Sequence, residues 1–262
     1  VRDDTGADVP VRRPVRRVVS LVPSLTETLA VTAPGLLVGA TDWCSHPVGL
    51  DVVRIRGTKN PDLDAIRALE PDLVVGNAEE NRAPDVAALR AAGVPVWMTE
   101  IRTVDGALVS LRRMLAEGCG LPVPGWLDDA ARVWAAHTPG PPRRAIVPIW
   151  RRPWMVLGRD TFAGDVLARL GVANVYAGHP ERYPKVALEE LTASGADLVV
   201  LPDEPYAFTA GDGPEAFPGL PAALVSGRYL TWYGPSLVGA PAALAGALAR
   251  VRPSRTGRPR RR

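Results

Sequence analysis

Residues Leu121–Arg144 read LPVPGWLDDAARVWAAHTPGPPRR, and this stretch decides how the chain divides. Trp126, Ala130, Val133, Trp134 and His137 recur at helical spacing on one face, with Asp128 and Arg132 lying away from it. Gly140, Pro141 and Pro142 end the helix. At about 1.5 Å per residue, Gly125 to His137 predicts a rod of about 20 Å, enough to join one globular lobe to another.

Working outward, the flanks resemble each other. PDLDAIRALEPDLVV (Pro61–Val75) and LEELTASGADLVV (Leu188–Val200) align on their shared D-L-V-V, so that Leu63 meets Leu188, Asp64 meets Glu189 and Ile66 meets Leu191. SLTETLA (Ser24–Ala30) matches FAGDVLA (Phe162–Ala168) more weakly. Two matches in the same order on either side of a helix predict a duplicated, two-lobed architecture. In the first half, β-branched runs at 17–22, 36–38, 72–75 and 94–98 alternate with helical patterns at 24–30, 63–69, 85–92 and 103–118, Ser24 and Glu27 forming a capping box. In the second half, strands are expected at 145–150, 172–176 and 197–201, helices at 161–170, 188–193 and 235–251, and a strand-like pair, Leu224-Val225 and Tyr229-Leu230, around a turn. Such alternation predicts an α/β fold: two Rossmann-like lobes with parallel-rich sheets joined by a single connecting α-helix. The expected limits are 1–121 for the first lobe, 122–140 for the connector, 141–249 for the second lobe and 250–262 for a basic disordered tail.

Composition narrows the function classes. The chain has 262 residues, 47% of them hydrophobic, and no uninterrupted apolar run approaches the ~20 residues needed to span a bilayer, so no membrane insertion is expected. Its net charge of +3 becomes −4 once the seven arginines among the last thirteen residues are set aside. The basic balance therefore belongs to the tail and predicts no nucleic-acid groove. Cys44 and Cys119 match no zinc or redox spacing, and His46, His137 and His179 form no H-x-x-x-H or H-E-x-x-H pattern, so no protein metal site is expected. G-x-S-x-G, P-loop and G-x-G-x-x-G motifs are missing from the sequence, and no catalytic residue is assigned. VRDDTGADVPVRRPVRR at the start has no apolar stretch of the export-signal kind. The expectation is a cytoplasmic protein as written, or an extracytoplasmic one if a signal lies outside this sequence.

Aromatics carry the binding argument. Trp43, Trp150, Trp154, Tyr206, Trp232 and Tyr233 fall in expected loops or at strand ends, where α/β folds place ligand contacts. Together with His46, Glu79, Glu80, Arg151 and Arg152 as polar points, they predict a large flat-walled pocket.

RVVSLVPSLTETL, LLVGATDWCSHP and GTKNPDLDAIRALEPDLVV followed by EENR give the chain a resemblance to the class III periplasmic binding proteins, the helical-backbone metal receptors of vitamin B12 and ferric-siderophore ABC importers. The resemblance runs from about Arg17 to Ala249. It implies a monomer that holds a bulky metal chelate, cobalamin-like or a ferric siderophore, between its lobes, with no covalently bound cofactor and no catalysis. It also implies one acid on each lobe that docks an importer permease, at Asp64 and Glu189. The alternative reading is a cytoplasmic enzyme, or a metal-chelate sensor or chaperone, built on the same scaffold, with Glu79, Glu80, His46 or Arg152 as acid, base or anion clamp.

Overall fold

A computed structural model describes residues 1–251. Of the expected tail, 250–262, residues 252–262 lie outside the described residues. The chain is α/β and separates into two compact units. Unit 1 is Val1–Arg132 together with Trp232–Val238; unit 2 is Val133–Thr231 and the residues from Gly239 on.

Unit 1 is built on strands β1 (Val18–Ser20), β2 (Leu37–Ala40), β3 (Val53–Arg54), β6 (Leu73–Asn77) and β7 (Val96–Thr99), with the short hairpin of β4 (Arg56–Gly57) and β5 (Asn60–Pro61) beside them. The sheet order is β3-β2-β1-β6-β7, all parallel. A parallel sheet covered on both faces needs continuous apolar strands, which is why Val18-Val19 and Leu73-Val74-Val75 do not alternate with polar residues. Helices α1 (Pro23–Thr32), α2 (Leu63–Ala68), α3 (Ala83–Ala91) and α4 (Val104–Arg113) provide the cover. Val19, Leu21, Ile66, Val74, Leu89 and Met98 meet in one core cluster. Helix α1 starts at Pro23, whose fixed φ suits the first helical position; Val22 is its N-cap, so Ser24 sits in the first turn and the expected capping box does not form. The expected long helix at 103–118 passes into a π turn, Met114–Gly118, after Arg113.

Unit 2 repeats the plan. Strands β8 (Arg143–Ile146), β11 (Val172–Asn174), β12 (Leu198–Pro202) and β13 (Ala222–Val225) run parallel in the order β11-β8-β12-β13, the same path as β2-β1-β6-β7. Helices α6 (Phe162–Arg169) and α7 (Leu188–Ala193) stand where α1 and α2 stand in unit 1. The aspartate of each D-L-V-V does one job twice. Asp72 accepts hydrogen bonds from the backbone N–H groups of Arg16 (2.7 Å) and Arg17 (2.9 Å) ahead of β1, and Asp197 accepts one from Arg144 (2.7 Å) in β8.

Three sequence expectations change here. The strand expected at 145–150 is two: β8 ends at Ile146, and Pro148, which has no N–H for a ladder, opens β9 (Pro148–Trp150) in a separate antiparallel pair with β10 (Met155–Val156). Tyr229-Leu230 lies in helix α8 (Gly227–Thr231), and the closing helix is α9 (Ala240–Ala249), preceded by a 3-10 turn at Pro235–Val238. Trp232–Val238, expected in the second lobe, belongs to unit 1. Helix α5 (Gly125–Ala136) carries the boundary between units at Arg132 and Val133, and it buries Leu127, Ala130 and Trp134.

The first residues are part of unit 1. Asp3 is buried, and its carboxylate accepts from Arg90 (2.7 Å), the Met98 N–H (3.1 Å), the Ala7 N–H (3.0 Å) and both the N–H and hydroxyl of Thr5. A buried charge satisfied this fully is stable where it lies, and removing one partner of such a pair costs about 3–5 kcal/mol.

Candidate functional site

In unit 1 the residues expected to bind ligand gather at the carboxyl ends of the parallel strands. Thr41 to Pro47 follow β2, and Ala78 to Arg82 follow β6. Trp43 is 68% exposed, with its indole nitrogen over Gly57. His46 is half-buried, its ring edge-on to Trp232 with centroids 5.5 Å apart. Trp232 and Tyr233 are themselves buried, so they support this surface from beneath. Burial raises the Tyr233 phenol pKa far above its ordinary value, and the nearby carboxylates of Glu80 and Glu79 add to the rise, while Ser24 and Thr99 act against it. The hydroxyl therefore stays protonated at neutral pH.

Glu79 and Glu80 are presented by a tight polar frame. Asn77, at the end of β6, accepts with its Oδ1 from the N–H groups of Glu79 (2.9 Å) and Glu80 (3.3 Å), and its amide donates to the carbonyl and hydroxyl of Thr99. Asn81 closes the turn from the other side, accepting from the Asn77 N–H (2.9 Å) and donating to the Thr58 (3.1 Å) and Leu21 (3.4 Å) carbonyls. Lys59 adds a bond to the Glu79 carbonyl at 2.8 Å.

In unit 2 the expected residues surround the β9–β10 hairpin. Trp150, Arg151, Arg152, Pro153 and Trp154 form its tip, with Trp150 half exposed and Arg152 exposed at φ 66°. Arg151, expected as a polar point of the pocket, pairs with Asp212 and with Glu215 (2.6 Å) and lies over the Trp154 ring. Tyr206 donates to Asp212 at 2.7 Å and meets Trp150 edge-on. Trp154 stacks parallel to Phe208 and packs edge-on against Phe217, so it belongs to the core side of the hairpin. The Tyr206 hydroxyl, ahead of Arg151, holds the Asp212 carboxyl below its ordinary pKa; the Gly213 N–H, also ahead of Arg151, does so for Glu215.

Asp64 and Glu189 occupy equivalent places, each the second residue of its helix, α2 or α7, and both are exposed. Asp64 pairs with Arg67 on its own helix. Both thiols are buried, which raises their pKa values, Cys119 to about 12, so neither is a thiolate at neutral pH. Among the described residues no group of three or more His, Cys, Asp or Glu side chains is placed to hold a metal ion. The asparagine frame and the Asp212–Glu215 pair escaped the sequence reading; the only trace was an asparagine on each side of Glu79-Glu80.

Two α/β units of one strand order, with the boundary inside a helix, are the architecture of the class III solute-binding proteins, and this chain has that fold. The particular proteins it is similar to bear this out. A vitamin B12-binding protein of Salmonella typhimurium is 25% identical over 179 residues, an alignment spanning 66% of this chain and 67% of that protein. The crystal structure of the periplasmic vitamin B12 binding protein of Vibrio cholerae superposes with a TM-score of 0.70 at 17% identity, covering 90% of this chain and 97% of that one. A periplasmic heme binding protein from Pseudomonas aeruginosa gives 0.71 at 23% identity, covering 91% and 95%. No family model matches the chain. These neighbours are periplasmic by description, which overturns the expectation of a cytoplasmic protein. That expectation rested on the lack of an apolar export-signal stretch among the first residues, which are a folded piece of unit 1, tied in by Asp3.

Proposed function

We propose that this chain is an extracytoplasmic solute-binding protein that, as a monomer, receives a bulky metal chelate, a cobalamin, haem or ferric siderophore, and delivers it to an ABC importer. It binds without turning its ligand over. The observation that carries the reading is the surface at the strand ends of unit 1, where exposed Trp43, the His46–Trp232 pair and the Glu79–Glu80 turn set flat apolar area beside hydrogen-bond acceptors. Conjugated rings with polar side groups match such a surface. In unit 2, Trp150, Tyr206 and Arg152 offer contacts of the same kind, with Arg151 and Trp154 bracing them. A thermal-shift screen with cyanocobalamin, hemin and a ferric siderophore tests the reading. A true ligand at about 100 times its Kd stabilises the native state by about 2.7 kcal/mol and raises the melting midpoint; no rise with any of the three would sink it.

Docking to the permease is assigned to Asp64 and Glu189, supported by their equivalent exposed positions on α2 and α7. The pair Asp64→Ala and Glu189→Ala is expected to leave chelate affinity unchanged while abolishing receptor-stimulated ATPase activity of the importer, because exposed charges steer and register a complex. Full stimulation by the double variant would remove this assignment.

A further inference from the structure

We propose that Asn77, Asn81 and Thr99 are positioning residues that preset the Glu79–Glu80 turn as a rigid acceptor for hydrogen-bond donors on the ligand; the proposal rests on the ligand-binding reading above. A turn of two adjacent glutamates at the end of a strand would ordinarily sample many conformations, and ordering it on binding costs conformational freedom. Here the backbone is fixed beforehand. The Asn77 side chain substitutes for a backbone carbonyl and takes both glutamate N–H groups, an Asx turn. Asn81 bonds back to the Asn77 N–H and ties the turn to the end of β1 through Leu21 and to the β4–β5 loop through Thr58. Thr99, at the end of β7, receives the Asn77 amide and donates its own hydroxyl to the Gly76 carbonyl at 3.0 Å. Three strand ends thus converge on one turn.

Two further observations say the frame is built for this purpose. Asn77, Asn81 and Thr99 are all buried, whereas the Glu80 carboxylate they support is exposed. Gly76 leaves the space the frame needs: a Cβ there would lie 2.6 Å from the Asn81 Oδ1 and 3.1 Å from the Met98 sulfur, both closer than ordinary contact. Buried polar side chains satisfied on every side fix one conformation, and this one leaves Glu80 exposed with Glu79 half-buried beside it. Ligand groups that such acceptors select are N–H and O–H donors: amides, amines and hydroxyls at the periphery of a chelate.

The test uses the full chain and whichever of cyanocobalamin, hemin or a ferric siderophore raises its melting midpoint. Asn77→Ala is expected to speed hydrogen exchange at the Glu79 and Glu80 amides at least tenfold and to weaken chelate binding about tenfold. Asn77→Ser, whose hydroxyl makes the same turn more weakly, should restore part of both. Thr99→Val keeps the shape of the buried side chain but strips the hydroxyl from the Asn77 amide and the Gly76 carbonyl, so it should still fold cooperatively, with a lowered melting midpoint, and should weaken binding. Glu79→Ala with Glu80→Ala, which removes both acceptor groups, supplies the separate control. If that pair leaves affinity unchanged, the acids are not ligand contacts and the reading of this surface falls. If it weakens binding while Asn77→Ala and Thr99→Val do not, the acids bind without the frame and the positioning proposal is overturned.

Discussion

Arg152 holds a left-handed backbone conformation, φ 66°, that a non-glycine residue adopts at a cost of about 1–2 kcal/mol. Strain of this size at an exposed hairpin tip persists where the side chain has a use. Arg152→Gly removes the strain and the guanidinium together, so its melting midpoint should equal or exceed that of the parent while chelate affinity falls several-fold. A drop in both would make Arg152 a structural residue of the hairpin, and unchanged affinity would exclude it from the site. Its neighbour shows what sequence can and cannot display at this scale. Arg151 and Arg152 read as equal cations, yet one is consumed by Asp212 and Glu215, acids some sixty residues away in sequence. Nothing local distinguishes a paired arginine from a free one, because the pairing depends on where a distant loop returns. The aromatics divide in the same way: Trp43 and Trp150 are exposed, while Trp232 and Tyr233 are buried beneath the surface they were expected to line.

At the level of elements, the hairpin of β9 and β10 is pinned from one side by the Arg151–Asp212–Glu215 network. Asp212 and Glu215 both have depressed pKa values in the fold, so their contribution is present above the ordinary carboxylate range near about 4 and is lost as pH falls through the lower folded values. Hydrogen exchange at the β9 and β10 amides should accelerate more below about pH 4 than exchange in β12, and Asp212→Asn should flatten that acid dependence. Equal acceleration in both strands would show that the network does not hold the hairpin. The strands and helices that recur were legible beforehand, because D-L-V-V and its preceding helix are short-range patterns used twice. The split between β8 and β9 was also written in the sequence, in Pro148, but the apolar run on either side of it concealed the break. The capping of α1 failed for a comparable reason: Pro23 competes with Ser24 for the helix start and prevails through its fixed φ.

For the molecule as a whole, two units and a boundary inside α5 follow from the repeat and the central helix, whereas the return of Trp232–Val238 to unit 1 left no signal in local periodicity. That short segment fills unit 1. Trp232, Tyr233 and Leu237 are buried there, and Gly234 lies so close to α1 that a Cβ would meet the Thr28 hydroxyl at 2.8 Å. A fragment ending at Arg132 should therefore expose apolar surface, bind a hydrophobic dye and aggregate, and a version with residues 230–238 joined through a glycine-serine linker should not. A soluble, dye-silent fragment would show that the segment is dispensable. Ribosomes release a domain in order from its first residue, at about 5–20 residues per second. Unit 1, although it begins the chain, stays unfinished for about 5–20 s after Arg132 has been added, until Val238 has been joined. The nascent chain must carry an open half-domain through the synthesis of nearly all of its second half, and a chaperone or an export machine that prefers unfolded cargo has that interval in which to act.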